Sequence, residues 1–468
     1  MSKLSANHIT QWLTTPVDAH GLSFFRLVFG LLMALATARF MWMGWVDTIL
    51  VDPTYHFTYT GFEWIKPLSR GPMYGVFIGL LLSALGIMIG WKTRAMAAIF
   101  FVLFTWVELI EKAAYLNHYY LVSLIGFLLI LLPSNRALSV DAKQQKLSPV
   151  IPRWAHLWLA GQVAIVYFFA GLAKFGSDWL LYGEPLYTWL QHHTDWPILG
   201  PLFVHRWWAI LMSISGAIFD TTIVFFLCWK KTRKLAYISA VAFHLMVWSL
   251  FPIGMFSPVM LLCGTLFFDP SWPRQLLALA HQHAPFKRLI NKDNLSTQKQ
   301  QPPHFARSSL MYLMVIWLGV QAILPLRHFA YPGDTNWTER GFRFAWRVML
   351  IEKTGQVEYR VVLPAQSADQ PPLTLKIYPR KDLTRLQYRM LCTQPDMMLA
   401  YAHKLEHDLR QKYPHTEGKK IKIYADSYVA FNGRHSQRYI DPDQDLLVLE
   451  PWFTWKNHPD WILEKEPR

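Results

Sequence analysis

The chain has 468 residues, of which 53% are hydrophobic, 15% aromatic and only 16% charged. A soluble protein carries about 25% charged residues, so the composition excludes an ordinary soluble enzyme and points to a polytopic membrane protein. The net charge of +15 matches the Lys and Arg excess of cytoplasmic loops. It is not read as a nucleic-acid footprint, and the expected partner surface is the lipid bilayer.

The N-terminal stretch MSKLSANHITQWLTTPVDAHG lacks the apolar core of a cleavable signal peptide. The first membrane helix is therefore expected to direct insertion. Apolar runs of bilayer-spanning length, about 20 residues, follow in order: Leu22–Val46, Met73–Trp91, Ala95–Ile110, Ala114–Leu132, Trp154–Ala173 and Trp207–Trp229. Leu235–Phe268 is too long for one helix. Its FPIGMFSP break suits a sharp turn between two helices. Ser309–Leu326 closes the series. The pattern predicts about nine transmembrane helices, with eight as the alternative.

The loops set the orientation. WKTR (91–94), Pro133–Arg153, KKTRK (230–234) and Asp269–Ser308 are basic, including the polar stretch 291–304. The intervening loops are mixed or near neutral. The positive-inside rule then places the N-terminus in the cytoplasm and the C-terminal region outside it. A mean hydropathy of only +0.16 fits such a water-soluble part. After Leu326 the texture changes. FAWRVMLI and QVEYRVVL around EKTG predict two strands and a turn. LTLKIY predicts a strand, Asp396–Tyr413 a helix opened by Pro395, and KIKIYADSYVAF a strand ended by NGR. The expected fold is a polytopic α-helical membrane bundle over residues 1–326. An extracytoplasmic α+β domain rich in β follows over 327–468.

Ionisable residues in or beside apolar runs are Arg26, Arg39, Glu108, His118, Lys174, Asp220 and His244. Such residues usually face a bundle interior and mark function. Glu108 and Lys112 have the spacing of a helical ion pair. Arg26 and Arg39 are expected to snorkel to the headgroups. Asp220 is expected to be satisfied by Thr221 and Thr222 or by another helix. Lys174 ends an uncharged run beside Phe168, Phe169 and Phe175. Desolvation disfavours the charged form of an amine, and a neutral amine is a usable general base. Asp178, four residues on, would instead keep it charged. Cys228, Cys263 and Cys392 form neither a metal-ligand pattern nor a disulfide framework, and no phosphate loop or nucleophile elbow is present. An ion pathway through the buried acids, or a non-catalytic quinone- or lipid-binding protein, remains open from these residues alone.

Five segments together resemble the vitamin K-dependent γ-glutamyl carboxylase family, whose membrane part is shared with bacterial proteins carrying the horizontally transferred transmembrane domain. They are NHYY (117–120), GQVAIVYFFAGLAKFGSDWL (161–180), FHLMVWSLFPIGMFSPVM (243–260) followed by PSWPR, NWTERGFRFAWRVML (336–350) and NGRHSQRYIDPDQDL (432–446). The resemblance implies an integral protein of a bacterial inner membrane. It implies oxidation of vitamin K hydroquinone by O2 to the epoxide, through an alkoxide basic enough to deprotonate a glutamate γ-carbon. The carbanion then captures CO2. Epoxidation without carboxylation is the alternative. The implied partner is a glutamate-containing peptide or protein, with no metal, biotin or nucleotide. The resemblance puts the hydroquinone base on Lys174 and positioning or oxyanion-stabilising roles on His118 and Asn117, with His244 as a further candidate. Tyr167, Phe168, Met255, Phe256, Trp346 and Met349 are the implied quinone-binding residues, with Arg347 beside them in the pocket roof. In the animal enzymes a second lysine precedes the catalytic one; here that position is Ala173.

Overall fold

The structure is a computed structural model that describes residues 3–282, 308–367, 369–449 and 461–467; the loop stretch 291–304 lies outside the described residues. Each apolar run contains a helix: α1 (His20–Trp42), α2 (Arg70–Ile89), α3 (Thr93–Ile110), α4 (Asn117–Leu131), α5 (Arg153–Leu172), α6 (Arg206–Cys228), α7 (Arg233–Leu250), α8 (Phe256–Gly264) and α9 (Ser308–Ile323). Among the described residues six segments are long and apolar enough to cross a membrane: His20–Trp42, Arg70–Ile89, Thr93–Ile110, Arg153–Leu172, Arg206–Cys228 and Ser309–Ala330. Nine full spans are therefore not confirmed. α4 has 15 residues and α8 only nine. At about 1.5 Å rise per residue, α8 reaches less than halfway across a hydrocarbon core of about 30 Å. The break before it comes from Pro252, which cannot continue α7, and from Gly254 at φ +57.

The main core of the bundle is an apolar cluster with Phe25, Phe29, Phe100, Trp154, Trp158 and Tyr167 among its buried side chains. At one end of the bundle a short antiparallel pair, β1 (Pro16–Asp18) and β2 (Val150–Pro152), ties the chain start to α5. Arg26 is fully buried near that end. It donates to the carbonyls of Ser134 (3.2 Å), Met88 (2.8 Å), Ile87 and Leu138. It does not snorkel: the helix-end carbonyls of α2 and the 134–138 turn satisfy it inside the protein. Arg39, at the other end of α1, lies over the Trp45 ring at 5.0 Å.

The C-terminal region forms a four-stranded antiparallel sheet in the order β4-β3-β5-β6, from β3 (Lys353–Leu363), β4 (Leu373–Ile377), β5 (Lys422–Phe431) and β6 (Gln437–Arg438). Alternation in β5 buries Ile423, Ala425, Ser427 and Val429 on one face. Two helices, α10 (Arg385–Leu391) and α11 (Pro395–Lys412), join the same core, where Met398, Tyr401, Ala402 and Leu405 meet Val357, Tyr359 and Val361. The Thr384/Gln387 capping box that starts α10 was a missed helix signal. The strand–turn–strand reading of 344–363 needs correction. EKTG opens β3 rather than turning, because Gly355 lets the Cys392 carbonyl approach a strand interior. FAWRVMLI is irregular, with Phe344, Trp346 and Met349 at φ +60, +56 and +58.

Phe57 and Ala113 from bundle loops enter the core of the C-terminal domain. Lys112 does not pair with Glu108. It reaches Asp396 at the start of α11 (2.8 Å), which Arg343 also contacts at 2.8 Å. Lys112 follows the end of α3, so the helical spacing of the expected pair no longer applies. Burial alone would raise the Asp396 carboxyl, but Arg343 and Lys112 together hold it well below the usual carboxylate range. A carboxylate depressed in the folded state stabilises the fold above its unfolded value and loses that contribution as pH falls through the depressed one. The junction should thus hold at neutral pH and weaken in acid, below the ordinary carboxylate value of 3.8. Asp396→Asn leaves two buried cations without their carboxylate. Thermal unfolding in detergent should show a loss of about 3–5 kcal/mol; an unchanged midpoint would mean that this cluster does not hold the junction.

Candidate active site

The buried face of α5 runs through Ala155, Leu159, Val163, Tyr167 and Ala170. Lys174 lies four residues beyond Ala170 and continues that stripe past the helix end. Its Nζ donates to the Ala170 carbonyl at 3.0 Å, and the residue is 5% exposed. Asp220 on α6 faces it, with Oδ2 at 2.9 Å from Nζ, and Trp179 places its ring 5.4 Å away. The approach of the two helices depends on Gly171. A Cβ there would lie 2.5 Å from the Thr221 nitrogen and 2.8 Å from its Cα. Thr221 and Thr222 bond back to the carbonyls of Ala217 and Ile218, so Asp220 finds its partner on another helix.

Lys174 opens onto a cavity of about 80 Å³ lined also by Tyr167, Asp220, His244, Phe256, Val348 and Met349. Tyr167 Oη lies 2.8 Å from His244 Nε2, while His244 Nδ1 is buried with no hydrogen-bond partner among the described residues. A second cavity of about 370 Å³ is lined by Arg39, Asn117, His118, Tyr119, Met255 and Phe256, and again by Val348 and Met349. The His118 ring packs edge-on against Tyr119 (4.6 Å between centroids) and lies 5.9 Å from the Phe256 ring. A third, open cavity of about 710 Å³ lies under the C-terminal domain and includes Asn117, Lys112, Arg343, Arg347, Met349 and Lys353. Met349 thus borders all three. Asn117 Nδ2 donates to the Arg347 carbonyl (2.9 Å) and so pins the segment that roofs them.

The structure brings together Lys174, His244, Tyr167, Phe256 and Met349, and places Asn117, His118 and Met255 in the adjoining chamber. Phe168 is 38% exposed and lines neither chamber. It follows Tyr167 and so lies about 100° round the helix from the buried stripe. Phe175 is also exposed, so Trp179 rather than the expected phenylalanines covers the amine. Trp346 is fully buried and stacks on Tyr120 at 5.0 Å behind the roof, without lining a chamber. Asp178 turns away from Lys174 to a bidentate pair with Arg434 (2.8 and 2.9 Å). Burial alone would raise its carboxyl, but those hydrogen bonds and the guanidinium charge hold it below the usual range. Asp220 is the partner of Lys174; its sequence signal was a single acid within the apolar 207–229 run. Among the described residues no group of three or more His, Cys, Asp or Glu is placed to hold a metal ion.

An apolar-walled chamber with a buried amine, at the bundle end covered by a β-rich domain, defines an integral membrane protein with an enzyme-like site. Residues 14–272 match the HTTM domain, and residues 306–467 match the lumenal domain of vitamin K-dependent gamma-carboxylase. The chain belongs to the vitamin K-dependent gamma-carboxylase family, which gives it a vitamin K-dependent carboxylase-like function. No solved structure matches it.

The Gly171 contact yields a direct check on this geometry. Gly171→Ala should force α5 and α6 apart and lower stability by about 1–3 kcal/mol. Gly176→Ala, where a Cβ meets nothing within 4 Å, should change it by no more than about 0.5 kcal/mol. Equal thermal midpoints for the two variants would contradict the close approach.

Proposed function

We propose that the protein oxidises vitamin K hydroquinone with O2 and uses the base so generated to carboxylate a glutamate side chain with CO2. The observation that carries this reading is Lys174, an amine buried in an apolar chamber that adjoins a larger one. Ligand sites typically measure about 300–1,000 Å³, so the 370 Å³ chamber fits a two-ring quinol and the 80 Å³ chamber does not. The partnerless His244 Nδ1 and the Lys174 amine offer polar contacts where the two chambers share Phe256 and Met349. When bound with O2, the quinol supplies the strong base.

In this reading Lys174 takes a proton from a quinol hydroxyl, and Asp220 gives the ammonium so formed a partner at 2.9 Å. His118 and Asn117 orient the reacting oxygen and stabilise charge developing on it. His244, braced by Tyr167, is a second polar contact. Met255, Phe256 and Met349 bound the ring, and the apolar walls exclude water that would quench a strong base. The large cavity under the C-terminal domain admits the glutamate-bearing peptide.

We further divide the chain at 326/327 and place the N-terminus in the cytoplasm of a bacterial inner membrane, with the C-terminal domain outside. The basic turns support this orientation: Lys92 and Arg94 share a groove with Arg136 near Arg26, at the end away from the Lys174 chamber.

Purified protein in detergent, given reduced vitamin K, O2 and labelled bicarbonate with a glutamate peptide, should form epoxide and fix label. Epoxide without label would retain the oxidation and reject the carboxylation. Neither product from folded protein would reject both. His118→Phe should lower product formation by roughly 10²–10³, the range for losing one charge-stabilising donor; a wild-type rate would remove His118 from the site.

A further inference from the structure

The chamber around Lys174 has a floor and a roof on separate parts of the chain. The floor is the loop after α5, with the helical turn Ser177–Leu180, whose Trp179 packs over the amine and donates Nε1 to the Ser213 carbonyl at 2.6 Å. The roof is Val348 and Met349, at the start of a segment whose 350–352 stretch lines the neighbouring open cavity. Trp179, Ala217 and Leu350 form a small apolar cluster where the two meet. Apolar contact alone is non-directional and does not fix register.

One structural feature touches both sides. The tip of the β5–β6 hairpin is Asn432-Gly433-Arg434, with Asn432 and Gly433 at φ +47 and +74. That left-handed pair suits Asn-Gly in a tight turn. Arg434 grips Asp178 on the floor with two hydrogen bonds. The side-chain nitrogen of Asn432 donates to Asp178 Oδ2 (3.2 Å) and to the Leu350 carbonyl (3.2 Å). Its side-chain oxygen accepts from the Glu352 nitrogen (2.8 Å), and its own nitrogen donates to the Glu352 carbonyl (2.9 Å). Asn432 is 1% exposed, and the Arg434 and Asp178 side chains are 10% and 14% exposed. A planar guanidinium on a carboxylate fixes orientation as well as charge, which a lysine cannot reproduce.

We propose that the Asn432–Arg434 hairpin tip is a clamp that locks floor to roof, keeps water from Lys174 and holds its amine in register with the chamber. Asp178, Asn432 and Arg434 are then positioning residues, and the clamp is the contact through which the C-terminal domain governs the reactivity of Lys174. Its chemical consequence rests on the reading of Lys174 as the proton acceptor; its structural consequence does not.

Two measurements on the full-length protein in detergent separate these. The first is acylation by a water-soluble N-hydroxysuccinimide ester, read by peptide mass spectrometry at Lys174 against Lys376, whose side chain is 67% exposed. The second is epoxide formation from reduced vitamin K. Arg434→Gln should raise Lys174 labelling severalfold with Lys376 unchanged. It should lower kcat by roughly ten- to a hundredfold, the scale for about 1 Å of misplacement, with the quinol KM within about twofold. Arg434→Lys should fall between the two proteins. If Arg434→Gln does not fold, Asp178→Asn takes the same measurements. Wild-type labelling and wild-type kcat in a folded variant overturn the clamp. A wild-type protein that forms no epoxide overturns the role of Lys174 instead, and labelling then decides the clamp alone.

Discussion

The site depends on one contact, the pairing of Lys174 with Asp220 at the edge of a small chamber with mostly apolar walls. An ammonium formed there by proton transfer would be expensive in isolation, and Asp220 stands ready as its counter-charge. The pair forms because α5 and α6 approach closely at Gly171, where no side chain separates them. The helical stripe that buries Tyr167 and Ala170 then carries Lys174 inward. Packing, charge and candidate chemistry thus rest on the same few residues.

Around that contact the protein keeps two kinds of surface apart. The bundle interior is apolar and supplies aromatic walls to both inner chambers. The C-terminal domain contributes ion pairs and turns: Asp396 with Arg343 and Lys112 on one side, Arg434 with Asp178 on the other. Between them runs the irregular 342–352 segment. Three non-glycine residues there have left-handed backbone, a conformation that persists only where surrounding contacts enforce it. Asn117 and Asn432 supply such contacts from opposite sides. A strong base and a polar substrate would have to meet at this boundary.

Much of this was legible in the sequence. Apolar run length located a helix at each expected place, and alternation located β4 and β5, because both patterns report burial on one face. Run length alone predicts nine spans, of which six meet the length among the described residues, and FPIGMFSP shortens α8 within an apolar run that composition cannot subdivide. Lys174, His118 and His244 stand out as ionisable residues in apolar surroundings, and Asn117 only through the family resemblance. Partner choice was not. Asp178 is near Lys174 in sequence but faces the C-terminal domain, whereas Asp220 is 46 residues away and in contact. Arg26 was taken for a snorkelling residue because carbonyl acceptors on other segments leave no mark in its own. The departure from a strand at 344–351 has the same origin: its side chains suit a strand, while long-range contacts impose a turn.

Chemical rescue of Lys174→Ala tests the central claim most directly. The variant should form vitamin K epoxide far more slowly than the wild type. Added small primary amines should restore part of the rate, the more basic amines more effectively per neutral molecule, as general-base catalysis requires. Wild-type epoxide formation by folded Lys174→Ala, without added amine, would contradict the account.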